Sequence, residues 1–324
     1  IFPKNTIMMA LAGQGKTKGN VCFLEKEVSS NQSLAGIVVD SKNNDPLYIY
    51  YILSNMYKEI RNIVGEGREG INIQNIKDIK IRLPKDIESQ KKVSIFLREF
   101  EKYKKTIKEL LRKIEIRNKY YIDKLLNGEL TVQNEKTVEN NIPLNKTLIT
   151  ELFDLKMGET ILKNQIEEHK INDNCIPVYS ATEENKIFGY IDKNKVKKIL
   201  CENDMILAAR GSIGSLKLTD GIKTSTQTTI QLIAKTKYSS YLALKYLENN
   251  RSVIFKPQGA AIPQITIDGI KSIEINLINN KEVETFLRKI DKEKEKVEKL
   301  LKLEEQRFEW LSDKLLSGEY IIED

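Results

Sequence analysis

The feature that most constrains the fold is an internal repeat in which each half of the chain is a globular segment followed by a long helix. The stretch "DKLLNGEL", from Asp123, recurs as "DKLLSGEY", from Asp313, at an offset of 190 residues. The preceding stretches "FLREFEKYKKTIKELL" and "FLRKIDKEKEKVEKLL" align at the same offset. A repeat of this length indicates that one structural unit is built twice.

The globular segments align as well, at slightly larger offsets. "INIQNIKDIKIRLP" matches "ITIDGIKSIEINLI", so that Ile71 corresponds to Ile265, and "IMMALAGQG" matches "MILAARGSI" at an offset near 198. "SNQS" (30–33) pairs with "STQT" (225–228). Residues 142–201 have no counterpart before Ile1. We therefore expect about 60 residues of the first domain's front to be absent from this chain.

The helical segments carry a regular apolar seam. Apolar residues recur at steps of three and four from Val93 to Leu125 and again from Val283 to Leu315, which is typical of coiled-coil-like helices. Each helix of roughly 40 residues would be about 60 Å long. The simplest way to bury both seams is an antiparallel pair of helices. The residues predicted to pack between the helices are Phe96, Phe100, Ile107, Leu111, Phe286, Ile290, Val297 and Leu301.

The globular segments read as short strands, with one short helix in each copy. The predicted strands are "TIMMALA", "NVCFL", "IKIRL", "IPVYSA", "DMILAA", "TTIQLIA" and "IEINL", and the predicted helices are "PLYIYYILSNMYKEI" and "SYLALKYLENNRSVI". The fold class is thus α+β: two small α/β domains separated by two long antiparallel coiled-coil-like helices, with a pseudo-two-fold internal repeat. The predicted boundaries are 1–84 (first domain), 85–130 (first helix), 131–145 (polar linker), 146–281 (second domain) and 282–322 (second helix).

Composition narrows the partners and the compartment. Lys and Arg total 53 against 46 Asp and Glu, giving a net charge of +7 and a pI near 9.0, which favours a polyanionic partner. Cys22, Cys175 and Cys201 form no C-x-x-C pair, and His169 is the one histidine, so no zinc site is predicted. The chain has no apolar run of the roughly 18 residues that span a bilayer. We expect a reduced, cytoplasmic protein.

The stretch "ALAGQGKTKG" (10–19) raises the alternative of a nucleotide-binding P-loop. A P-loop needs a helix directly after its glycine-rich turn, so that the helix N-terminus faces the phosphates. Here Lys18, Gly19 and Asn20 lead into "VCFLE", which reads as turn and strand, and the aligned loop "AARGSIGS" has no Gly-Lys-Thr. The sequence therefore argues against an ATPase.

Other catalytic interpretations also find little support. "NDPLY" (44–48) resembles the Asn/Asp-Pro-Pro-aromatic motif of amino-methyltransferases, but Leu47 replaces the second proline. Asp45-Pro46 is better explained as a helix start. The carboxylates of the long helices stand at spacings typical of a solvated face. We expect a chain with no catalytic centre of its own.

A globular unit followed by a long helix that ends in "DKLLNGEL", the whole repeated once, resembles the DNA-specificity (S) subunits of type I restriction-modification enzymes. The resemblance covers nearly the whole chain and includes the loops "LAGQGKTKG" and "ARGSIG", the "NQS"/"TQT" pair and "FKPQGAAIPQIT". It implies that each domain reads half of a bipartite DNA target and that the helices fix the spacing. It also implies two adenine-N6 methyltransferase (M) subunits and a restriction/translocase (R) subunit as partners. S-adenosylmethionine, ATP and Mg are then expected only in those partners.

Base readout requires Arg or Lys for guanine, Asn or Gln for adenine, and cations that contact phosphates. The aligned loops supply these residue types, although any one of them could be an ordinary turn or surface residue. The predicted DNA-binding residues are Gln14, Lys16, Thr17, Lys18, Gln32 and Arg68 in the first copy and Arg210, Ser212, Thr226, Gln227, Lys256 and Gln258 in the second.

The leading hypothesis is a sequence-specific DNA-binding subunit, and two alternatives remain. A coiled-coil scaffold for protein partners would not bind random duplex DNA at low salt. A P-loop ATPase would bind nucleotide in a manner that Lys16→Ala abolishes. The sequence does not determine the target bases, because readout also depends on loop geometry and DNA deformation.

Overall fold

The computed structural model of the chain describes all residues except 14–15, 64–69, 141–143, 145, 182–186, 236–238, 257–262, 277, 279 and 323–324. Its contacts divide the chain into two compact units. Unit 1 comprises Ile1–Lys113 and Glu295–Asp324, and unit 2 comprises Ile114–Lys294. Each unit therefore contains one globular domain and a stretch of each long helix.

The domain of unit 1 is a three-stranded antiparallel sheet with short helices. The strand order is β2-β1-β3, with Ile7 of the central strand opposite Phe23 on one side and Ile37 on the other. Buried Ile7, Met9 and Ile60 belong to the core between this sheet and the helices. The elements are β1 (Ile7–Ala10), β2 (Val21–Phe23), β3 (Leu34–Ile37), α1 (Pro46–Asn55), α2 (Tyr57–Asn62), α3 (Ile73–Lys77) and the first part of α4 (Ile87–Leu126).

Unit 2 begins with the rest of α4 and a short hairpin. The hairpin consists of β4 (Leu130–Gln133) and β5 (Lys136–Glu139). Its turn residues, Asn134 and Glu135, both have positive φ angles of 51° and 63°, which is the geometry of a type I′ turn. The polar segment predicted as a linker is thus partly a β-hairpin. The hairpin is stabilised by burial of Val132, an apolar residue of β4 that packs against α4, α6 (Ser240–Asn249) and α9 (Lys281–Ser317).

The domain of unit 2 contains the same sheet with additions. Strands β11-β10-β13 repeat the arrangement of the first domain, and β7 joins the outer edge of β13. A second sheet has the order β12-β8-β9, and β14 pairs with β6. The elements are β6 (Lys146–Leu148), α5 (Ile149–Leu152), β7 (Phe153–Met157), β8 (Cys175–Tyr179), β9 (Gly189–Asp192), β10 (Met205–Ala208), β11 (Leu216–Leu218), β12 (Thr224–Ser225), β13 (Thr229–Ala234), α7 (Arg251–Ile254), α8 (Ile267–Ile270) and β14 (Glu274–Asn276).

One predicted strand is wrong for a physical reason. The segment "IKIRL" (79–83) forms no strand, whereas its counterpart "IEINL" contains β14. β14 pairs with β6, with Ile275 opposite Thr147. Among the described residues, 79–83 has no strand partner of this kind. Ile79, Ile81 and Leu83 pack against the domain core instead.

The single short helix predicted in each copy is two helices in both. The first pair breaks at Met56 (ψ 14°) and the second at Asn250 (ψ 14°). Asn250 stabilises its break by donating from Nδ2 to the Tyr246 carbonyl at 2.9 Å. The predicted start at Asp45-Pro46 is confirmed, because the Asp45 carboxylate accepts from the Tyr48 amide at 3.2 Å.

The repeated motifs "DKLLNGEL" and "DKLLSGEY" are helix-stop signals. Gly128 and Gly318 have φ angles of 74° and 79°, and the amide after each glycine bonds back to a carbonyl of the last turn, as in a Schellman cap. An ion pair accompanies each cap, from Lys124 to Glu129 and from Lys314 to Glu319. Both ends are thus stabilised by the same contacts.

In each unit the stretches of α4 and α9 run antiparallel and are in contact. In unit 1, Phe100 stacks on Phe308 with 5.5 Å between ring centroids. In unit 2, Phe286 contacts the edge of Tyr121 at 5.2 Å, and Asn118 Nδ2 donates to the Ile290 carbonyl at 3.0 Å. Among the other residues predicted for the seam, Ile107 and Ile290 are buried and Leu111, Val297 and Leu301 are half-buried, whereas Phe96 is 40% exposed and stacks on Phe100 of its own helix.

A tyrosine of a short helix anchors each domain to a long helix. Tyr51 Oη donates to Glu101 at 2.8 Å, and Tyr241 Oη donates to Asp291 at 2.7 Å. Burial, together with the neighbouring carboxylate, raises the pKa of both tyrosines above the usual value near 10. Glu101 and Asp291 stand 190 residues apart, so the anchor is a feature of the repeat.

Candidate nucleic-acid interface

In each domain three segments meet where the central strand ends. In unit 1 the Leu11 amide donates to the Ser33 carbonyl at 2.9 Å, and the Ile71 amide donates to the Leu11 carbonyl at 2.7 Å. In unit 2 the Ala209 amide donates to the Thr228 carbonyl at 3.0 Å, and the Ile265 amide donates to the Ala209 carbonyl at 2.9 Å. We call each meeting point a loop edge. It comprises residues 11–13, 16–18, 31–33 and 70–71 in unit 1 and residues 209–215, 226–228 and 264–265 in unit 2.

The loop that follows the central strand is held by a side chain from the second short helix. Tyr57 Oη donates to the Lys16 carbonyl at 2.9 Å. Arg251 Nη2 donates to the carbonyls of Ser212 and Ile213 at 3.3 and 2.6 Å. Tyr57 and Arg251 are each the first residue of their helix. The repeat therefore conserves the support although the side chain differs.

Two glycines are needed for these loops. Gly13 has a φ of 137°, and a Cβ built there would lie 2.8 Å from Thr17 Cβ. Gly211 has a φ of 67°, and a Cβ there would lie 2.7 Å from the Ala181 carbonyl oxygen. Both the backbone conformation and the close approach favour glycine.

In unit 1 the predicted DNA-binding residues divide into exposed and buried ones. Lys16, Thr17 and Gln32 are exposed on the loop edge. Lys18, which the sequence places on the DNA-facing surface, is only 6% exposed, so its side chain is covered by the domain. Gln14 and Arg68 lie outside the described residues.

In unit 2 the structure also separates the predicted residues. Arg210, Gln227 and Lys256 are exposed, and Ser212 is half-buried. Thr226 is 9% exposed, and its hydroxyl lies 2.8 Å from the Thr228 hydroxyl within the domain. This side chain is thus covered rather than presented at the surface. Gln258 lies outside the described residues.

The structure adds Gln264, which the sequence interpretation did not select. Arg210 Nε donates to Gln264 Oε1 at 3.0 Å. Gln264 belongs to the stretch "FKPQGAAIPQIT", in which the sequence predicts only Lys256 and Gln258 to bind DNA. The sequence shows that Gln264 directly precedes Ile265, which aligns with Ile71. Its proximity to Arg210 depends on the hydrogen bond from the Ile265 amide to the Ala209 carbonyl, which the sequence does not reveal.

The nucleotide-binding alternative lacks its structural requirement. Residues 16–19 form a turn, and strand β2 follows within two residues. Among the described residues, therefore, no helix N-terminus stands after Thr17 to receive phosphates. The described residues also contain no group of His, Cys, Asp and Glu that could hold a metal ion. None of the helices in the described part of the chain is long and apolar enough to cross a membrane.

Comparisons with known proteins agree with this geometry. The family model described as "Type I restriction modification DNA specificity domain" matches residues 1–117 and 143–305. The crystal structure of a type I restriction-modification system S subunit from M. genitalium has a TM-score of 0.66 at 14% sequence identity, over 100% of this chain and 85% of that chain.

A structure described under complex assembly and conformational transition of the type I R-M system has a TM-score of 0.57 at 13% identity, over 97% of this chain and 82% of that one. Comparison with curated protein sequences gives no match.

Proposed function

Because the chain belongs to the type I restriction-modification DNA specificity family, whose model matches most of its length, we propose that each of its two units reads one half of a bipartite DNA sequence. The observation that carries this proposal is the loop edge, which is built twice with equivalent backbone contacts. Each edge presents exposed cationic and amide side chains, Lys16 and Gln32 in unit 1 and Arg210 and Gln227 in unit 2. Such groups pair with base edges and phosphates when a rigid backbone holds them.

The chain acts in this proposal as the DNA-reading subunit of a larger enzyme and has no catalytic centre of its own. Two adenine-N6 methyltransferase subunits and a restriction/translocase subunit would supply the chemistry, together with S-adenosylmethionine, ATP and Mg. The long helices would fix the spacing between half-sites. The net charge of +7 suits a polyanionic ligand, and we place the protein in the cytoplasm with the DNA.

The test begins with methylation-site mapping in a host that carries the complete system. We expect a motif of two short half-sites separated by a fixed number of unspecified bases. Binding of the assembled complex to a duplex with this motif is then measured against salt, where affinity should fall steeply as counterions compete for the phosphates.

Duplexes with one base pair added to or removed from the spacer provide the matched control. We expect each to bind at least about tenfold more weakly, in the range of a mismatched site. Equal affinity for all three duplexes, or for random DNA, would reject the bipartite reading, whereas a lack of binding to every duplex at low salt would favour a protein scaffold.

A further inference from the structure

Arg210 is an exposed arginine whose guanidinium is oriented by the protein. Its Nε donates to Gln264 Oε1 at 3.0 Å. Among the described residues, the structure shows no ion pair or further side-chain hydrogen bond for its two terminal nitrogens. The hydrogen bond at Nε orients the plane of the guanidinium, and no described residue engages the terminal edge with its two Nη atoms.

The backbone on both sides of this pair is also fixed. The amides of Ala209 and Arg210 both donate to the Thr228 carbonyl, at 3.0 and 3.2 Å. The Ile265 amide, next to Gln264, donates to the Ala209 carbonyl at 2.9 Å. Arg251 holds the following turn through the Ile213 carbonyl. A side chain on such a frame loses little conformational freedom on binding, which is what sequence readout requires.

Unit 1 has the same frame without the pair. Ala12 corresponds to Arg210 at the offset of 198, and Gly70, which precedes Ile71, corresponds to Gln264. The equivalent backbone bond from Ile71 to Leu11 is present at 2.7 Å, and a Cβ built at Gly70 would lie 4.0 Å from Ala12 Cβ. These backbone contacts therefore form in unit 1 without an Arg–Gln pair. The pair of Arg210 and Gln264 is found in the second domain and has no equivalent in the first.

We propose that Arg210, oriented by Gln264, binds a guanine in the major groove of the half-site that unit 2 reads. The terminal edge of a guanidinium presents two parallel N–H donors, which match the O6 and N7 acceptors of guanine. This inference rests on the proposed function and adds the base that one residue recognises. Gln264 is a positioning residue, which acts through Arg210.

The first experiment compares methylation motifs from hosts carrying the complete system with the wild-type chain, Arg210→Ala or Lys271→Ala. Arg210→Ala should convert one guanine of one half-site into an unspecified base and leave the other half-site and the spacer unchanged. Lys271 is an exposed lysine of the same unit, paired with Asp268, and its loss removes an equal charge without changing the motif.

The second experiment measures binding of the assembled wild-type complex to duplexes in which each guanine of that half-site is replaced in turn by 7-deazaguanine, which lacks the N7 acceptor. One replacement should weaken wild-type binding. Loss of the full contact in Arg210→Ala should lower the affinity for the unmodified duplex by about 5- to 150-fold. The same replacement should not weaken binding of Arg210→Ala further. If the variant fails to assemble, the guanines of both half-sites are replaced in turn in the wild-type measurement, and insensitivity to every replacement overturns the contact.

Gln264 is tested through base preference rather than through affinity. Gln264→Ala should reduce the preference for guanine at the Arg210-dependent position. Gln264→Glu should restore that preference, because a carboxylate also accepts from Nε, even where its charge lowers affinity for all sequences. Equal preference in wild-type and Gln264→Ala complexes would remove Gln264 from the mechanism.

The outcomes separate this inference from the proposed function. A wild-type motif whose bases do not depend on Arg210, or a half-site insensitive to every 7-deazaguanine, overturns the guanine contact alone. Uniform weakening for all sequences in Arg210→Ala assigns the residue to a phosphate and also overturns it. A wild-type complex that selects no motif overturns both proposals.

Discussion

At the level of single residues, backbone geometry is repeated more faithfully than side-chain identity. Leu11 and Ala209 make the same two backbone hydrogen bonds, and Tyr57 and Arg251 support equivalent loops with different donors. Arg210 and Ala12 then occupy the same place on this frame. The arrangement suits a protein whose specificity changes through side chains while its fold is kept.

Gly13 offers a test of how strictly the first loop is fixed. Gly13→Ala should destabilise the chain by about 1–3 kcal/mol more than Gly221→Ala, because only at Gly13 does the added methyl group meet a neighbour, Thr17 Cβ, at 2.8 Å. Gly221 has a similar φ of 151° and nothing within 4 Å of its Cβ position. Gly221→Ala therefore reports the cost of the backbone conformation without a steric clash. Urea unfolding of the full chain measures both free energies.

The Gly13 variant should also bind its DNA target more weakly than the Gly221 variant, since Lys16 and Thr17 follow the distorted turn. Equal free energies of unfolding for the two variants would show that Thr17 moves aside at no cost and that the loop is adaptable.

At the level of elements, the two long helices use unlike contacts at equivalent positions. Phe100 meets Phe308 in unit 1, and the residues at the same positions of the repeat, Ile290 and Asn118, meet in unit 2. If α4 paired with α4 of a second copy in the same register, Phe100 would lie opposite Asn118. The side-chain amide of Asn118 would then be buried against the Phe100 ring. An unsatisfied buried amide is costly, so the asymmetry favours pairing of α4 with α9.

Phe308→Ala tests the aromatic contact. Phe308 stacks on Phe100 and lies 3.5 Å from Lys104 Nζ, so its truncation should lower the free energy of unfolding by about 2–4 kcal/mol, near the lower part of the range for large core residues. Leu303→Ala is the matched control on the same helix, because Leu303 is 59% exposed. Its truncation should cost less than about 1 kcal/mol, and thermal unfolding measures both.

A similar loss for both variants would contradict the assignment of Phe308 to the helix seam. It would indicate that the stability of this stretch comes from helix formation itself rather than from packing between α4 and α9.

The elements that sequence predicts well are those that depend on local signals. Three kinds of signal predict a helix or its end from a few neighbouring residues: the apolar steps along α4 and α9, the glycines at 128 and 318, and Asp45 before Pro46. The structure confirms the helices that they predict. The hairpin at Asn134 and Glu135 was missed, since two non-glycine residues with positive φ are an uncommon turn sequence.

The features that sequence missed depend on partners far along the chain. "IKIRL" has the residues of a strand, but its counterpart β14 is a strand through pairing with β6. Lys18 reads as a surface cation, yet the fold covers it. Gln264 meets Arg210 across 54 residues of chain, which no local pattern indicates. The DNA-binding assignments of the loop residues remain predictions.

At the level of the whole molecule, each repeat contributes to both units. Unit 1 takes the end of α9 from the second repeat, and unit 2 takes the end of α4 from the first. Leu315 is buried among Val93 and Leu97, and Leu125 is buried among Val283 and Leu287. These positions match at the offset of 190, so each domain core is completed by a helix end from the other repeat.

If the helices set the distance between half-sites, lengthening both should lengthen the spacer of the DNA target. The stretches 107–113 and 295–301 face each other in unit 1, because Phe100 meets Phe308 and Lys108 pairs with Glu305. Duplicating both stretches adds seven residues per helix and keeps the apolar steps in phase. The pair then grows by about 10 Å, or about three base pairs of duplex DNA.

Methylation-site mapping of a host carrying this double duplication should return both half-sites unchanged, with a spacer longer by about that amount. Duplicating 107–113 alone is the control: it leaves seven residues of α4 without facing residues on α9 and should destabilise the pair without defining a new spacer. A double duplication that methylates the original motif would show that the helices do not measure the distance, whereas altered half-sites would show that the duplication disturbs the loop edges themselves.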